Sequence, residues 1–273
     1  MPSFRRVVWA YYRKFGRHDL PWRKTDNVYH ILVSEIMLQQ TQVERVLPFY
    51  TTFIKKFPTA HALARAPLSE ILKNWQGLGY NRRAKMLQSA VKELGTIPLP
   101  SARRTDLPTL IALLEKLPGV GPYTARAIAA FAYNQEVIVI ETNIRTAVTY
   151  HFFAKRKKVS DKEIEKVLQQ VAPKGRSREW YSALMDYGAY LKRSGVNLNA
   201  KQSNYVKQKK FVGSNREARG AILRTLAADT FSRREVLLTV LGASRHAQMQ
   251  GALAALQKEG LVVKDGGTYR LAR

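Results

Sequence analysis

From Tyr29 to Glu44 the chain reads YHILVSEIMLQQTQVE, an oily run that carries one carboxylate, Glu35, and ends in two glutamines and a threonine. At about 100° per residue, Leu32, Ile36, Val43 and Leu47 fall in one core-facing stripe. Glu35 lies at its margin, on the side of Gln39 and flanked by Ile31 and Leu38. A helix is expected over 28–39. Thr41-Gln-Val-Glu44 reads as a capping box that starts a second helix reaching Phe57. Gln39 and Gln40 would then stand at a break between two helices, where side chains project from the packed surface. Glu35 by itself fits a helix-edge acid in water. With its apolar neighbours it also fits a carboxyl of raised pKa, which is how a general acid is made.

The rest of the pattern is mostly helical. A first helix is expected over Phe4 to Phe15 with Val7, Val8, Tyr11 and Tyr12 turned inward, and Pro21 breaks the chain after it. Further helices are expected over 69–75, 81–94, 107–117, 123–132, 143–153, 161–170 and 178–192. Pro98 and Pro100 mark a loop, and Val137 to Ile140 reads as a short strand or an extended link. Trp22, Trp75 and Trp180 are expected in the core. Residues 193–216 are polar without periodicity, a length of loop that is uncommon unless functional or a linker. From Glu217 three helical segments (217–228, 232–241, 244–259) precede an apolar run, the turn Asp265-Gly-Gly267 and Tyr269-Arg-Leu271. That is the outline of a winged helix whose third helix, from Ser244, would be the recognition helix; a small helical binding module is the alternative. The division is therefore 1–192, 193–216 and 217–273.

Charge changes the picture more than composition does. Lys and Arg outnumber Asp and Glu by 46 to 20 in 273 residues, a net charge of +26 spread along the chain. A basic folded surface favours a polyanionic partner through counterion release. There is no cysteine, which excludes disulfides, thiolate metal sites and iron–sulfur clusters. The histidines are scattered, so no metal or other cofactor is expected. The first residues do not read as a signal peptide and no stretch is long and apolar enough for a bilayer, so a cytoplasmic or nucleoid-associated monomer is expected.

Leu117-Pro-Gly-Val-Gly-Pro-Tyr-Thr-Ala125 lies between two expected helices. Glycines let the backbone approach a phosphate, and the second helix aims free N–H groups at it. This is a helix-hairpin-helix signature; it grips backbone and carries no sequence information. An ordinary αα-hairpin with a glycine turn is the plainer alternative.

Together, Leu20-Pro-Trp22, Ser34-Glu-Ile-Met-Leu-Gln-Gln-Thr-Gln-Val43, Gly77-Leu-Gly-Tyr80 and the hairpin resemble the MutY adenine DNA glycosylases of the helix-hairpin-helix superfamily, in order over residues 4–190. The resemblance implies a mainly α glycosylase fold of two helical subdomains. It implies Glu35 as the general acid that protonates a flipped adenine, and Gln40, Thr41 and Tyr80 at the DNA around the extruded nucleotide. Gly119, Val120, Gly121 and Thr124 would belong to the phosphate-gripping hairpin. The family's second carboxylate, an aspartate two residues before a kept asparagine, corresponds to Glu141 ahead of Asn143. Tyr123 occupies the position of the Schiff-base lysine of the related lyases, which implies a glycosylase without efficient strand cleavage.

The chain also departs from that pattern. The family's iron–sulfur spacing, counted from Lys192, lands on Asn199, Gln202 and Gln208. A second aromatic is replaced by Asn81, and a winged helix stands where a nudix-like domain is usual. Asp186 and Tyr187 resemble the thymine-mismatch relatives but fit packing residues equally well. The leading expectation is removal of adenine mispaired with guanine or 8-oxoguanine in duplex DNA. Removal of thymine or uracil opposite guanine, or a non-catalytic DNA-binding protein, are the alternatives.

Overall fold

The computed structural model describes residues 2–95, 106–196, 198, 210–229 and 231–273, and most of them are helical. The elements are α1 (Pro2–Phe15), α2 (Val28–Leu38), α3 (Val43–Lys56), α4 (Ala60–Arg65), α5 (Leu68–Asn74), α6 (Arg82–Leu94), α7 (Leu107–Glu115), α8 (Pro122–Phe131), α9 (Thr142–Phe152), α10 (Asp161–Val171) and α11 (Ser177–Arg193). Then come α12 (Asn215–Ala228), β1 (Ser232–Arg233), α13 (Arg234–Thr239), α14 (His246–Lys258), β2 (Val262–Asp265) and β3 (Thr268–Leu271). The Pro98–Pro100 loop and the cluster-spacing positions Asn199, Gln202 and Gln208 lie outside the described residues. Among the described residues no helix is long and apolar enough to cross a membrane.

The chain forms two compact units that interleave in sequence: residues 2–35, 106–116 and 120–196 in one, and 36–95, 117–119, 210–229 and 231–273 in the other. The C-terminal segment thus shares a unit with α3–α6. The boundary falls inside α2, between Glu35 and Ile36.

In the first unit α11 packs against α1, α8 and α9, and Trp180 and Tyr181 are fully buried. Gly188 sets the closeness of α11 to α9, because a Cβ there would lie far inside contact distance of the Asn143 carbonyl oxygen. Asp186, 2% exposed, accepts from the Arg17 backbone N–H (2.8 Å), Arg17 Nε (2.6 Å) and both Nη atoms of Arg23 (2.6 and 3.0 Å). Asp186 is a packing residue: a buried charge is tolerated where it is paired and hydrogen-bonded.

In the second unit Phe53, Leu63, Ile71 and Trp75 form the core of α3–α6. α12 packs on α14, α5 and β3. The sheet is antiparallel in the order β1-β3-β2, with Ser232 opposite Tyr269 and Val263 opposite Arg270. These are the three helices and hairpin outlined by the sequence, with the short strand β1 added between the first two helices.

Several local expectations are corrected. Residues 31–37 of α2 are all buried, so the helix is covered on every side instead of along one stripe. The stripe does not continue, because the break resets the helical phase: Leu47 is 36% exposed, and α3 buries Val46, Tyr50 and Phe53. The Thr41–Glu44 capping box does not form. Gln42 is the N-cap of α3 with no side-chain hydrogen bond, and the Thr41 hydroxyl donates instead to the Gln39 carbonyl at 3.3 Å. In α1, Phe4, Val8 and Tyr12 face inward at a four-residue spacing, whereas Val7 is 40% exposed. Val137 to Ile140 is an extended link, and α4, capped by Thr59, had no sequence expectation.

An alanine at an ordinary helical glycine gains stability. At Gly188 the sign reverses: Gly188→Ala should lower stability by roughly 1–3 kcal/mol through overpacking against Asn143. A urea midpoint equal to or above wild type would contradict the backbone contact.

Candidate active site

Glu35 is 7% exposed in the last turn and a half of a mostly apolar helix. Burial pushes its carboxyl up to about 7. A hydrogen bond with the Tyr123 hydroxyl opposes the rise, and the negative charge of Glu141 adds to it. Tyr123 stands in the first turn of α8 with part of its surface open to solvent. Its hydroxyl is held well above the usual tyrosine range by burial, and by the charges of Glu35 and Glu141. Three acidic side chains far apart in sequence therefore meet within one unit. A carboxyl half-protonated near neutral pH can give up a proton at a site where a carboxylate stays close by.

Glu141 owes its position to the start of α9. It is the N-cap residue in extended conformation, and its Oε1 accepts from the backbone N–H groups of Asn143 (2.7 Å) and Ile144 (2.8 Å). Thr142 Oγ1 donates to Oε2 at 3.2 Å. Aspartate and asparagine are the usual residues for this task; here the longer side chain still closes both bonds. The helix dipole and two amide donors hold negative charge at this point. Lys192, half-buried on α11, feels the Glu141 charge, and burial lowers its pKa. Asn143 contributes its backbone N–H to the Glu141 cap and its carbonyl to the contact beneath Gly188.

The hairpin after α7 turns through Gly119, whose φ of 82° is a left-handed conformation that glycine supplies without strain. A Cβ at this position would come within 3.1 Å of Met86 Cβ. Gly121 is the N-cap of α8, extended, with no side chain capping the helix and Pro122 in the first turn. Val120 (6% exposed) and Thr124 (3%) are buried, so these two residues would meet a ligand through their backbone.

The second unit brings Gln40, Thr41 and Tyr80 together around a side chain for which the sequence reading assigned no role, Arg83. It is 8% exposed, and its Nη1 donates to the carbonyls of Ile36 (2.8 Å), Met37 (2.8 Å) and Gln39 (2.6 Å). Its Nη2 reaches Thr41 Oγ1 (3.2 Å) and the Gly79 carbonyl (3.1 Å). The guanidinium also lies over the rings of Trp75 and Tyr80. Burial lowers its pKa to about 10, which leaves it cationic at neutral pH. Gln40 (φ 55°) and Tyr80 (φ 47°) both adopt the left-handed conformation, uncommon for residues with side chains. One buried cation thus satisfies the end of α2 and ties it to the Gly77–Tyr80 turn. A sequence signal existed: Arg83 shares a helical face with the apolar Leu87, Ala90 and Val91.

An iron–sulfur cluster does not fit this chain. It has no cysteine, and among the described residues no group of three His, Asp or Glu side chains could hold a metal.

A model of the HhH-GPD superfamily of base excision DNA repair proteins matches residues 33–174. An adenine DNA glycosylase of Mycolicibacterium smegmatis is 34% identical over 275 aligned residues, which take in 94% of this chain and 92% of the relative. One from Mycobacterium tuberculosis is 33% identical, over 93% of this chain and 88% of the relative. These matches run well past residue 174 and so reach into the C-terminal segment. Among solved structures, a thermostable thymine-DNA glycosylase has the same fold, with a TM-score of 0.57 over 75% of this chain and 97% of that one, at 23% identity. With the hairpin, the buried glutamate and the second carboxylate that caps α9, these likenesses agree: the chain belongs to the HhH-GPD superfamily of base excision DNA repair proteins.

Proposed function

We propose that this protein is an adenine DNA glycosylase that hydrolyses the N-glycosidic bond of adenine mispaired with guanine or 8-oxoguanine in duplex DNA. The observation that carries this is the Glu35 carboxyl, buried, hydrogen-bonded to Tyr123 and raised to about 7 beside a fixed carboxylate. A base inside a duplex must leave the stack before a side chain can reach it. Glu35 then donates its proton to a ring nitrogen of the adenine. The C1′–N9 bond breaks with its electron pair going to the base, and positive charge develops on the sugar. Glu141, its charge fixed by the start of α9, stabilises that charge. Water adds at C1′ and loses a proton, which returns Glu35 to its acid form. Tyr123 has no amine for a Schiff base, so the strand is left uncut at this step. Gln40, Thr41 and Tyr80 attend the bases, and the backbone of Gly119–Gly121 and Thr124 holds phosphate. The net charge of +26 favours that polyanionic partner.

Three outcomes test this reading. Glu35→Gln should lower single-turnover adenine release from A:G and A:8-oxoguanine duplexes by about 10²–10⁴-fold. Wild-type release should fall as pH rises through about 7, because the acid form is the active one. No adenine release by wild type from either duplex would sink the assignment.

Glu35 also has a stability signature. Its folded pKa is raised, so the stability it contributes is full below about 4.5 and is lost as pH rises through about 7. Glu35→Gln lacks this loss. Its thermal stability relative to wild type should improve between about pH 5 and pH 8, by on the order of 1–3 kcal/mol. A difference that does not change with pH would contradict a buried acid.

Glu141→Ala should cost about 0.5–2 kcal/mol of stability as a lost cap and about 10²–10³-fold in rate. Glu141→Asp should retain or raise the rate. Equal rates for all three proteins would remove Glu141 from the chemistry.

A further inference from the structure

Beside Gln39, Gln40 and Tyr80 the second unit holds a cavity of about 450 Å³, a volume typical of sites for small ligand groups. One wall comes from α6. The opposite wall comes from the C-terminal segment, with Arg216 and Arg219 on α12 and Glu259 at the end of α14. These last three residues lie outside the stretch matched by the superfamily, residues 33–174.

The C-terminal wall is tied to this place by specific bonds. Lys85 on α6 donates to the Glu259 carbonyl at 2.6 Å. The Glu259 carboxylate pairs with both Nη atoms of Arg219 (3.0 and 2.6 Å), which neutralises it. One helical turn earlier, Arg216 donates to Tyr80 Oη at 3.2 Å, and its guanidinium lies 5.6 Å from the Tyr80 ring centroid. A guanidinium held against an aromatic ring keeps a planar donor fork in a fixed orientation. A phosphate would be served by an open basic surface. A concave site with side-chain amides and an oriented donor fork suits a nucleobase, and the base that an arginine selects is the one presenting O6 as an acceptor.

We propose that Arg216 is a specificity-determining residue that takes the O6 edge of a guanine-type purine, the base left opposite the excised adenine, in the cavity beside Gln40 and Tyr80. This rests on the adenine glycosylase reading. It adds that the C-terminal segment belongs to the base-reading surface, and it names the side chain through which it reads.

The test compares two opposing bases, guanine and 2-aminopurine, the second lacking only the O6 among guanine's major-groove acceptors. Binding is measured on duplexes that carry a tetrahydrofuran abasic analogue opposite each base, and adenine release on duplexes with adenine opposite each. Wild type should bind the guanine duplex about 10- to 100-fold more tightly, as expected for one hydrogen bond to a charged donor. Arg216→Lys keeps the charge but loses the fork. It should bind the guanine duplex about as weakly as wild type binds the 2-aminopurine duplex, with little further loss on 2-aminopurine. Equal losses on both duplexes would mean a phosphate contact or a packing role and would overturn the proposal. So would no loss, or a wild-type protein indifferent to O6, whatever the variant does. Discrimination in binding without any adenine release would leave Arg216 as the reader and overturn the proposed reaction instead.

Discussion

A carboxyl group shut inside a helix that is covered on every side is the constraint on which this structure turns. Burial disfavours its charge, the Tyr123 hydroxyl is its hydrogen-bond partner, and the charge of Glu141 is of the same sign. The group answers by holding its proton to about 7. The surrounding elements make this state possible. The buried residues Ile31, Leu32 and Val33 exclude water, α8 delivers Tyr123 from its first turn, and the start of α9 fixes the Glu141 side chain through two backbone N–H groups. The two carboxylates sit in different environments, Glu35 desolvated and Glu141 bonded to backbone amides.

The other end of α2 poses the opposite problem. Carbonyls at a helix C-terminus lack intrahelical partners, and here they are buried. Arg83 supplies the donors for three of them and reaches across to the Gly77–Tyr80 turn. A single buried cation therefore holds the carbonyls of Gln39 and Gly79, the residues just before two left-handed positions, Gln40 and Tyr80. The same α2 that withholds solvent from Glu35 thus ends in a break that Arg83 ties to the Gly77–Tyr80 turn.

Much of this was legible in the chain. The helical periods, the proline and glycine stops and the hairpin between α7 and α8 follow local rules, and α6, α9, α10 and α11 fall within a residue or two of expectation. Glu35 could be singled out because a carboxylate in YHILVSEIML breaks an apolar run. What could not be read locally depends on partners distant in sequence. The Thr41 hydroxyl bonds to Gln39 and Arg83 instead of capping α3. The burial of α2 on all sides needs the tertiary packing, and Val7 faces outward because Phe4, Val8 and Tyr12 make the better inward spacing. Glu141 stands where the resemblance implies an aspartate, and that its longer side chain still caps α9 on the N–H groups of Asn143 and Ile144 depends on backbone geometry the sequence does not display. The docking of α12 beside Tyr80 leaves no local mark at all.

Folding alone makes Glu35 an acid near neutral pH. The most direct measurement is a pH titration of the protein labelled with ¹³C at the glutamate side-chain carboxyls, followed by NMR without DNA, with the Glu35 signal assigned by its loss in Glu35→Gln. A midpoint near 7 is expected for that one signal. A midpoint near the ordinary glutamate value of 4.5 would contradict it.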